Sequence, residues 1–155
     1  MNRMKNKIKI AYIINSLEVG GAERFTVDLI NNLNTDRFEP ILICVKNAGP
    51  LEHTIHTAGL PIYEISKKTK LGLFAIWKMF RILRKHRIDI VHTQLFCADL
   101  WGRIAAVFAR TKVILSTEQN PDALERRIEK ISKRVLNYLL IRLFLYHRQW
   151  KVTIY

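Results

Sequence analysis

Two adjacent glycines, Gly20 and Gly21, are the residues whose type and position most directly suggest chemistry in this sequence. They follow a nearly continuous apolar run at 8–14 and precede a segment with apolar residues at helical spacing. Backbone amides and the helix dipole at a helix N-terminus attract anions, and glycine lets a phosphate approach the backbone closely. The pair predicts an anion site, and a simple tight strand-to-helix turn is the equally weighted alternative.

The surroundings of the glycine pair exclude three well-known phosphate and phosphoacceptor sites. A dinucleotide-binding unit would carry Gly-x-Gly-x-x-Gly after its first strand and an acidic residue at the end of its second. Here the second apolar run ends in Val45, Lys46 and Asn47. A Walker lysine loop is also absent, and Asn15 and Ser16 do not supply the acidic pair of a receiver domain.

Short apolar runs alternate with helical periodicity along the chain. The predicted strands are 8–14, 41–45, 61–65, 88–92, 112–117 and an incomplete strand at 151–155. The predicted helices are 22–33, 50–58, 71–86, 98–109 and 121–146. This alternation predicts an α/β fold, a Rossmann-like, doubly wound parallel sheet with helices on both faces. At 155 residues and 49% apolar content, the chain is expected to form a single domain over 1–155.

The apolar spacing also predicts which side chains face the core. We expect these to be Ala22, Phe25, Leu29 and Leu33 in helix 22–33, Leu73, Trp77, Phe80 and Leu83 in helix 71–86, and Trp101, Ile104, Ala105 and Phe108 in helix 98–109. The two cysteines, Cys44 and Cys97, have no metal-binding spacing and are expected to be reduced, small core residues.

Three segments at the ends of predicted strands resemble those of the family-4 glycosyltransferases, which have the GT-B fold. They are Gly20-Gly21-Ala22-Glu23-Arg24, Asp89-Ile90-Val91-His92-Thr93 and Ser116-Thr117-Glu118-Gln119-Asn120. The resemblance is closest over 8–120. It implies that the chain is the N-terminal, acceptor-side half of a two-domain enzyme. Such an enzyme transfers a sugar from a nucleotide-sugar donor to a glycan or lipid-linked acceptor.

The resemblance also implies roles for single residues. Gly20 and Gly21 would bind the donor diphosphate, where amide dipoles stabilise charge on the leaving group. His92 would be the catalytic candidate, as a hydrogen-bonding or acceptor-positioning group, although a histidine at a strand end can also simply fasten its own loop. The residues implied to contact the acceptor or the sugar are Glu23, Gln94, Glu118 and Gln119. No metal and no cofactor is implied.

Two departures from the family pattern concern chemistry and length. Gln94 and Gln119 stand where members often carry histidine, and glutamine cannot act as an acid or a base at neutral pH. We therefore expect altered sugar choice or lower efficiency. The family also has a second, donor-binding domain with two glutamates separated by seven residues, and no such pair is present here. We expect a truncated chain, as a remnant, a frameshift product or part of a split enzyme, that is inactive alone.

Positive charge is concentrated in the second half of the chain. The formal net charge is +13, of which +3 falls before Lys78 and +10 from Lys78 onward. The basic amphipathic helix predicted at 121–146 carries Arg126, Arg127, Lys130, Lys133 and Arg134 between apolar residues. Such a helix predicts an anionic membrane surface as a partner, and a solvated outer face of a packed helix is the alternative.

Nucleic acid is the rival polyanion, but the sequence has no helix-turn-helix, zinc-finger or aromatic RNA-binding signature. No apolar run reaches the length of a transmembrane helix or of a signal-peptide core. We expect a cytoplasmic protein, peripheral on the inner face of the membrane. The alternative function is a non-catalytic Rossmann-like module that binds a phosphorylated ligand or an anionic membrane surface.

Overall fold

A parallel sheet of six strands organises the part of the chain described by the computed structural model, residues 7–65, 72–117, 138 and 151–154. The elements in order are β1 Ile8–Ile14, α1 Gly21–Asn31, β2 Phe38–Cys44, a 3-10 turn Pro50–Thr54, β3 Ile62–Glu64, α2 Gly72–His86, β4 Ile90–Gln94, α3 Phe96–Ala109, β5 Val113–Thr117 and β6 Lys151–Ile154. The strand order is β3-β2-β1-β4-β5-β6, and every neighbouring pair is parallel. The predicted Rossmann-like α/β fold is confirmed.

The sheet has a separate apolar core on each face, because side chains alternate along a strand. Ile10, Tyr12 and Ile14 pack on the α1 side, whereas Ala11 and Ile13 pack on the side of α2 and α3. The predicted strand β1 is confirmed to the residue. It reads as a continuous apolar run because both of its faces are covered by helices.

The two cysteines differ in their surroundings. Cys44 ends β2 as a free, fully buried thiol. Burial, together with the carboxylates of Glu64 and Glu52, raises the pKa of this thiol to about 12. The prediction of a small core residue is therefore confirmed for Cys44, whereas Cys97 is a free cysteine that is only partly buried.

Pro40 lies inside β2 rather than before it, which the strand tolerates because of the direction in which its nitrogen points. The Leu42 N–H donates to the Pro61 carbonyl over 2.9 Å, so alternate nitrogens of β2 face β3. The Pro40 nitrogen faces the same side, two residues before the first β2–β3 pair, Leu42 with Ile62. Since β3 has not begun there, the missing N–H removes no bond of the ladder.

β4 begins at Ile90, two residues later than predicted, because the N–H of Ile88 closes the C-terminal end of α2. Arg87 has a left-handed backbone, with φ 52°, and the Ile88 N–H donates to the Leu83 carbonyl over 3.1 Å. This six-to-one bond closes the helix as a Schellman motif. At its other end the strand extends to Gln94, two residues beyond the predicted end. His92 thus lies in the middle of β4 rather than at its end.

The prediction of a helix at 50–58 is wrong, since only the short 3-10 turn Pro50–Thr54 forms there. The Asn31 side chain at the end of α1 explains why the helix does not continue. Its Nδ2 donates to the Thr54 carbonyl over 2.9 Å, and its Oδ1 accepts the His56 N–H over 2.8 Å. The His56 N–H is thus bonded to a side chain and not to a carbonyl four residues back.

The prediction of the core-facing residues of α1 and α2 is partly wrong. Phe25, Leu73 and Trp77 are exposed, although their spacing had placed them inside. The buried residues are instead Ala22, Thr26, Val27 and Ile30 in α1, and Ala75, Met79 and Leu83 in α2. The helical spacing of apolar residues was therefore predicted correctly. The face of each helix that packs on the sheet is a neighbouring one, which mostly carries smaller side chains.

α3 lies against the sheet on a surface of small residues. Ala98, Gly102, Ala105 and Ala106 are buried, whereas Phe108, which was predicted to face inward, is exposed. A Cβ at Gly102 would lie 2.8 Å from the Thr93 Cγ2, closer than atoms of packed side chains approach. The helix therefore needs glycine at this position to approach β4 as closely as it does.

Candidate functional site

The candidate site lies at the carboxyl edge of the sheet, beside the point where the strand order reverses. The chain runs outward from β1 to β3 and returns to β4, so β1 and β4 are neighbours from which the chain leaves in opposite directions. In open α/β sheets this crevice is where ligands bind. The loop after β1, the end of β4 and the end of β5 all meet there.

His92, in the middle of β4, is a titratable group close to this edge, and side chains of both neighbouring strands hold it. Its Nε2 forms a 2.7 Å hydrogen bond with the Thr117 Oγ1 at the end of β5. On the β1 side, its ring lies 5.6 Å from the Tyr12 ring, centroid to centroid, with the planes inclined by 46°. The imidazole is therefore fixed in orientation on the α1 face of the sheet.

Burial lowers the pKa of His92 below its ordinary value, because a charged imidazolium loses solvation at this position. The ring is thus neutral at pH 7, with one nitrogen as a donor and the other as an acceptor. Nδ1 has no hydrogen-bond partner among the described residues. A neutral imidazole with one nitrogen fixed and the other open can orient a hydroxyl group or accept a proton from it.

The lowered pKa makes the stability of the fold sensitive to acid. The unfolded imidazole, with a pKa of about 6.5, binds a proton more readily than the folded one. Above about pH 6.5, the His92 side chain therefore does not change the free energy of unfolding. As the pH drops through the pKa of the folded state, protonation of the unfolded imidazole lowers this free energy. We expect urea unfolding to show a smaller loss of stability between pH 7.5 and 5 in His92→Gln than in the wild type. Equal losses would contradict the assignment, because His86, whose pKa burial also lowers, is present in both proteins.

Gln94 and Leu95 form an energetically costly end to β4. Gln94 is 1% exposed, and neither its Oε1 nor its Nε2 has a hydrogen-bond partner in the described part of the chain. Leu95 follows with φ 66° and ψ 152°, a region that side chains rarely adopt. An unpaired buried amide and a strained backbone each reduce stability, and such features concentrate at functional sites.

A buried polar network holds α3 against the end of β4. The Asp99 Oδ1 accepts a 2.7 Å hydrogen bond from the Thr93 hydroxyl, and its Oδ2 lies 3.2 Å from the Arg103 Nη1. Asp99 and Arg103 are 6% and 3% exposed. The Asn15 Oδ1, in the loop after β1, accepts the Ala98 N–H at the start of α3 over 3.0 Å. Together these bonds tie β1, β4 and α3 into one rigid support.

The N-terminus of α1 lies at the same edge and has no side-chain cap. Gly20 is the N-cap residue in an extended conformation, and Gly21 begins the helix with open space around its Cα. The Glu23 carboxylate folds back over Gly20, since a Cβ there would collide with the Glu23 Oε2. A carboxylate is thus already attracted to the position where an anion is predicted to bind.

The structure gathers only part of the residues predicted for the site. Gly20, Gly21 and Glu23 lie at the carboxyl edge, Gln94 ends β4 there and is fully buried, and His92 lies two residues before Gln94. Glu118 and Gln119 lie outside the described residues, as do Arg126, Arg127, Lys130, Lys133 and Arg134 on the predicted basic helix.

Sequence reasoning missed the partners that hold the site in place. Tyr12 and Thr117 share a sheet face with His92, as the alternation along parallel strands would have indicated once the strand order was known. Asp99 and Arg103 are an acid and a base four residues apart in a predicted helix, a recognisable helical pair. Asn15 offered no local signal of its role.

The described residues hold no group of three or more His, Cys, Asp or Glu side chains arranged to bind a metal ion. Among these residues there is also no helix with the length and apolar character required to cross a bilayer.

Comparison with known proteins gives one family match and one related enzyme. The model of the family described as Glycosyltransferase Family 4 matches residues 19–154. The UDP-Gal:alpha-D-GlcNAc-diphosphoundecaprenol alpha-1,3-galactosyltransferase of Escherichia coli is 28% identical over 121 residues, which are 76% of this chain and 31% of that enzyme. The chain thus spans about a third of the length of this curated relative.

Solved structures share the fold at low identity. A glycosyltransferase from Rickettsia africae ESF-5 has a TM-score of 0.63 at 19% identity, over 97% of this chain and 43% of its own. The apo lipopolysaccharide outer core galactosyltransferase WaaB has a TM-score of 0.54 at 17% identity, over 72% of this chain and 33% of its own. A UDP-GlcNAc 2-epimerase from Methanocaldococcus jannaschii has a TM-score of 0.58 at 14% identity, over 95% of this chain and 45% of its own. These likenesses show the fold alone, since the same fold supports transferases and an epimerase.

Proposed function

The chain belongs to glycosyltransferase family 4, whose model spans most of it, and from this premise we propose that it is the acceptor-side domain of a sugar-transferring enzyme. The donor would be a nucleotide sugar and the acceptor a glycan or a lipid-linked sugar. The observation that carries the proposal is the placement of His92. The ring is neutral, is held by Thr117 and Tyr12, and has no partner at Nδ1 among the described residues, close to the edge where such sheets bind ligands.

The α1 N-terminus is proposed as the contact to the donor diphosphate. Its uncapped amides and helix dipole favour an anion, and Gly21 leaves room for one. The Glu23 carboxylate over Gly20 must move away when a diphosphate arrives, because two negative groups cannot share the position. Once displaced, Glu23 is available to contact the acceptor or the sugar.

The acceptor is proposed to bind across β4 and β5. His92 Nδ1 would orient the attacking hydroxyl. The Gln94 carboxamide is fully buried and has no hydrogen-bond partner among the described residues, so it would contact sugar hydroxyls only if the end of β4 opens on binding. Glu118 and Gln119 are proposed as further sugar contacts from their place directly after Thr117. No step of this proposal uses a metal ion.

A lipid-linked acceptor is the form that the related enzyme supports. The name of the Escherichia coli relative specifies UDP-Gal as the donor and a GlcNAc unit on diphosphoundecaprenol as the acceptor. By this likeness we propose a uridine-diphosphate sugar and a lipid-diphosphate-linked sugar for this chain as well. Such an acceptor would place the protein peripherally on the inner face of the membrane.

The proposal can be tested by supplying the donor-binding part. The chain would be joined to the remaining portion of the Escherichia coli relative, and transfer from nucleotide sugars to a lipid-diphosphate-linked GlcNAc would be measured by product formation. Absence of transfer with every nucleotide sugar would overturn the enzyme proposal. Binding of a phosphorylated ligand without transfer would support the alternative, a non-catalytic module.

Gly21→Ala tests the diphosphate contact within this chimaera. No atom lies within 4 Å of a Cβ at Gly21, so we expect the midpoint of thermal unfolding to stay unchanged. The added methyl group hinders the close approach of a phosphate, and we expect KM for the donor to rise about tenfold while KM for the acceptor is unaltered. An unchanged donor KM, or an equal rise for both substrates, would contradict the assigned position of the diphosphate.

A further inference from the structure

Three large apolar side chains in the first two turns of α2 are exposed to solvent. Leu73 is 80% exposed, Phe74 43% and Trp77 50%. The same helix buries Ala75, Met79 and Leu83 against the sheet, so the exposed residues are not needed for the core. Single exposed apolar residues are common, but adjacent large ones on one helix indicate a binding surface.

The exposed aromatic rings are already paired with cations. The Phe74 and Trp77 rings are stacked, with centroids 6.1 Å apart and planes inclined by 30°. The Arg81 guanidinium carbon lies 4.9 Å from the Trp77 centroid, and the Lys78 Nζ lies 5.9 Å from the Phe74 centroid. We call Leu73, Phe74, Trp77, Lys78 and Arg81 the α2 patch. It combines apolar and positively charged groups on one preorganised surface.

The surrounding charge is uniformly positive. Between Glu64 and Asp89 the sequence contains eight Lys or Arg residues and no acidic residue. Arg84 and Lys85 continue the exposed basic side of α2 beyond the patch. A partner with complementary charge must therefore be anionic, and the aromatic side chains favour one with an apolar layer beneath its charges.

The α2 patch lies on the same edge of the sheet as His92. α2 follows β3 and returns the chain to the start of β4, so its N-terminal half lies near the carboxyl ends of the strands. The Lys78 Nζ donates to the Ile65 carbonyl directly after β3, over 2.7 Å, which fixes this position. His92 lies on the α1 face of the sheet and α2 on the other, so a surface bound by the patch would lie at the same end of the sheet as the proposed acceptor site but on the opposite face.

From these observations we propose that the α2 patch docks the protein on an anionic lipid surface, with Trp77, Phe74 and Leu73 at the level of the headgroups and Arg81 against lipid phosphates. Aromatic and basic side chains together are typical of helices that lie in the membrane interface. The purpose of this contact rests on the proposed function, since it brings a lipid-linked acceptor to His92. The contact itself does not depend on sugar transfer.

The experiment measures binding of the full 155-residue chain to vesicles by cosedimentation. Vesicles of phosphatidylcholine mixed with phosphatidylglycerol are compared with pure phosphatidylcholine. We expect binding to the anionic vesicles only, weakened about tenfold in Trp77→Ser and about fivefold in Arg81→Gln. Phe108→Ser is the matched control, because Phe108 is also an exposed aromatic residue, at 67% against 50% for Trp77, and lies near the C-terminal end of α3, outside the patch. Its binding is expected to equal that of the wild type.

Fluorescence locates the contact within the chain. Trp77 emission is expected to shift to shorter wavelength on vesicle binding, and the shift is expected to disappear in Trp77→Phe, which keeps an aromatic ring and most of the affinity. Because the basic helix predicted at 121–146 is a second candidate for lipid contact, the comparison among α2 variants decides the assignment.

Four results would overturn the proposal. They are no binding to anionic vesicles, equal binding to neutral ones, equal binding of Trp77→Ser and wild type, or self-association of the chain in solution that Trp77→Ser abolishes. The last would assign the patch to a second copy of this chain. Vesicle binding without sugar transfer in the chimaera would refute only the enzyme proposal, and transfer without vesicle binding would refute only the docking.

Discussion

Replacement of Asp99 by alanine is expected to lower the free energy of unfolding by about 3–5 kcal/mol, the usual cost of removing one partner of a buried ion pair. Asp99 accepts bonds from Thr93 and Arg103, and both charged residues are almost fully buried between α3 and the sheet. Without the carboxylate, the buried Arg103 guanidinium loses its 3.2 Å contact with Asp99. The Thr93 hydroxyl retains only its 3.2 Å contact with the Leu115 carbonyl.

Urea unfolding followed by circular dichroism measures this effect, and a second ion pair provides the control. Lys112 and Asp89 are only 2.7 Å apart, but Lys112 is largely exposed, so Lys112→Ala is expected to cost less than about 1 kcal/mol. The double variant Asp99→Leu/Arg103→Met is expected to be more stable than Asp99→Ala, since it removes both buried charges of this pair. Similar losses in Asp99→Ala and Lys112→Ala would show that the buried network contributes little to stability.

Replacement of His92 by alanine is expected to lower kcat/KM for sugar transfer in the chimaera by about 10²-fold or more. This is the range for losing a positioned group that exchanges a proton with the reacting hydroxyl. The neutral state that burial imposes on the ring, and the bond from Nε2 to Thr117, leave Nδ1 available for that role. Removal of the ring also leaves Thr117 without its partner.

His86 provides a matched control for this measurement. It is bonded to the Tyr63 hydroxyl over 2.6 Å, has a tyrosine ring 5.4 Å away and has its pKa lowered by burial, so its surroundings imitate those of His92. It lies at the end of α2, however, at the opposite edge of the sheet. We expect His86→Ala to retain kcat/KM within about twofold. An equal loss in both variants would mean that His92 contributes only to folding.

The strands were predictable because their burial is encoded locally. A parallel strand covered on both faces needs apolar side chains in both directions, so β1 stands out in the sequence as a run interrupted only by Lys9. The limits of β4 were not predictable to the residue. Ile88 is as apolar as a strand residue, but its N–H closes α2, and only the left-handed backbone at Arg87 shows this.

The helix faces were harder to predict, because size competes with hydrophobicity at a close contact. Apolar periodicity selects the largest side chains, yet α3 reaches β4 only where Gly102 and its alanine neighbours leave space. Phe108 of α3 therefore remains outside although its spacing is correct for a core, and Trp77 is likewise exposed on α2, where Ala75, Met79 and Leu83 are the buried residues. The exposed α2 patch became visible only through this difference.

The sequence by itself determined the alternation of strands and helices, the glycine pair at the start of α1, the position of His92 on β4 and the excess of positive charge. Each of these depends on residues that are near one another along the chain. The tertiary structure decided the surroundings of these residues: the bond from His92 to Thr117, the unpaired burial of Gln94 and the exposure of Trp77. These depend on the order of the strands and on the distance between the helices and the sheet. A local pattern of residue types specifies neither, because both are set by contacts between residues far apart in the sequence.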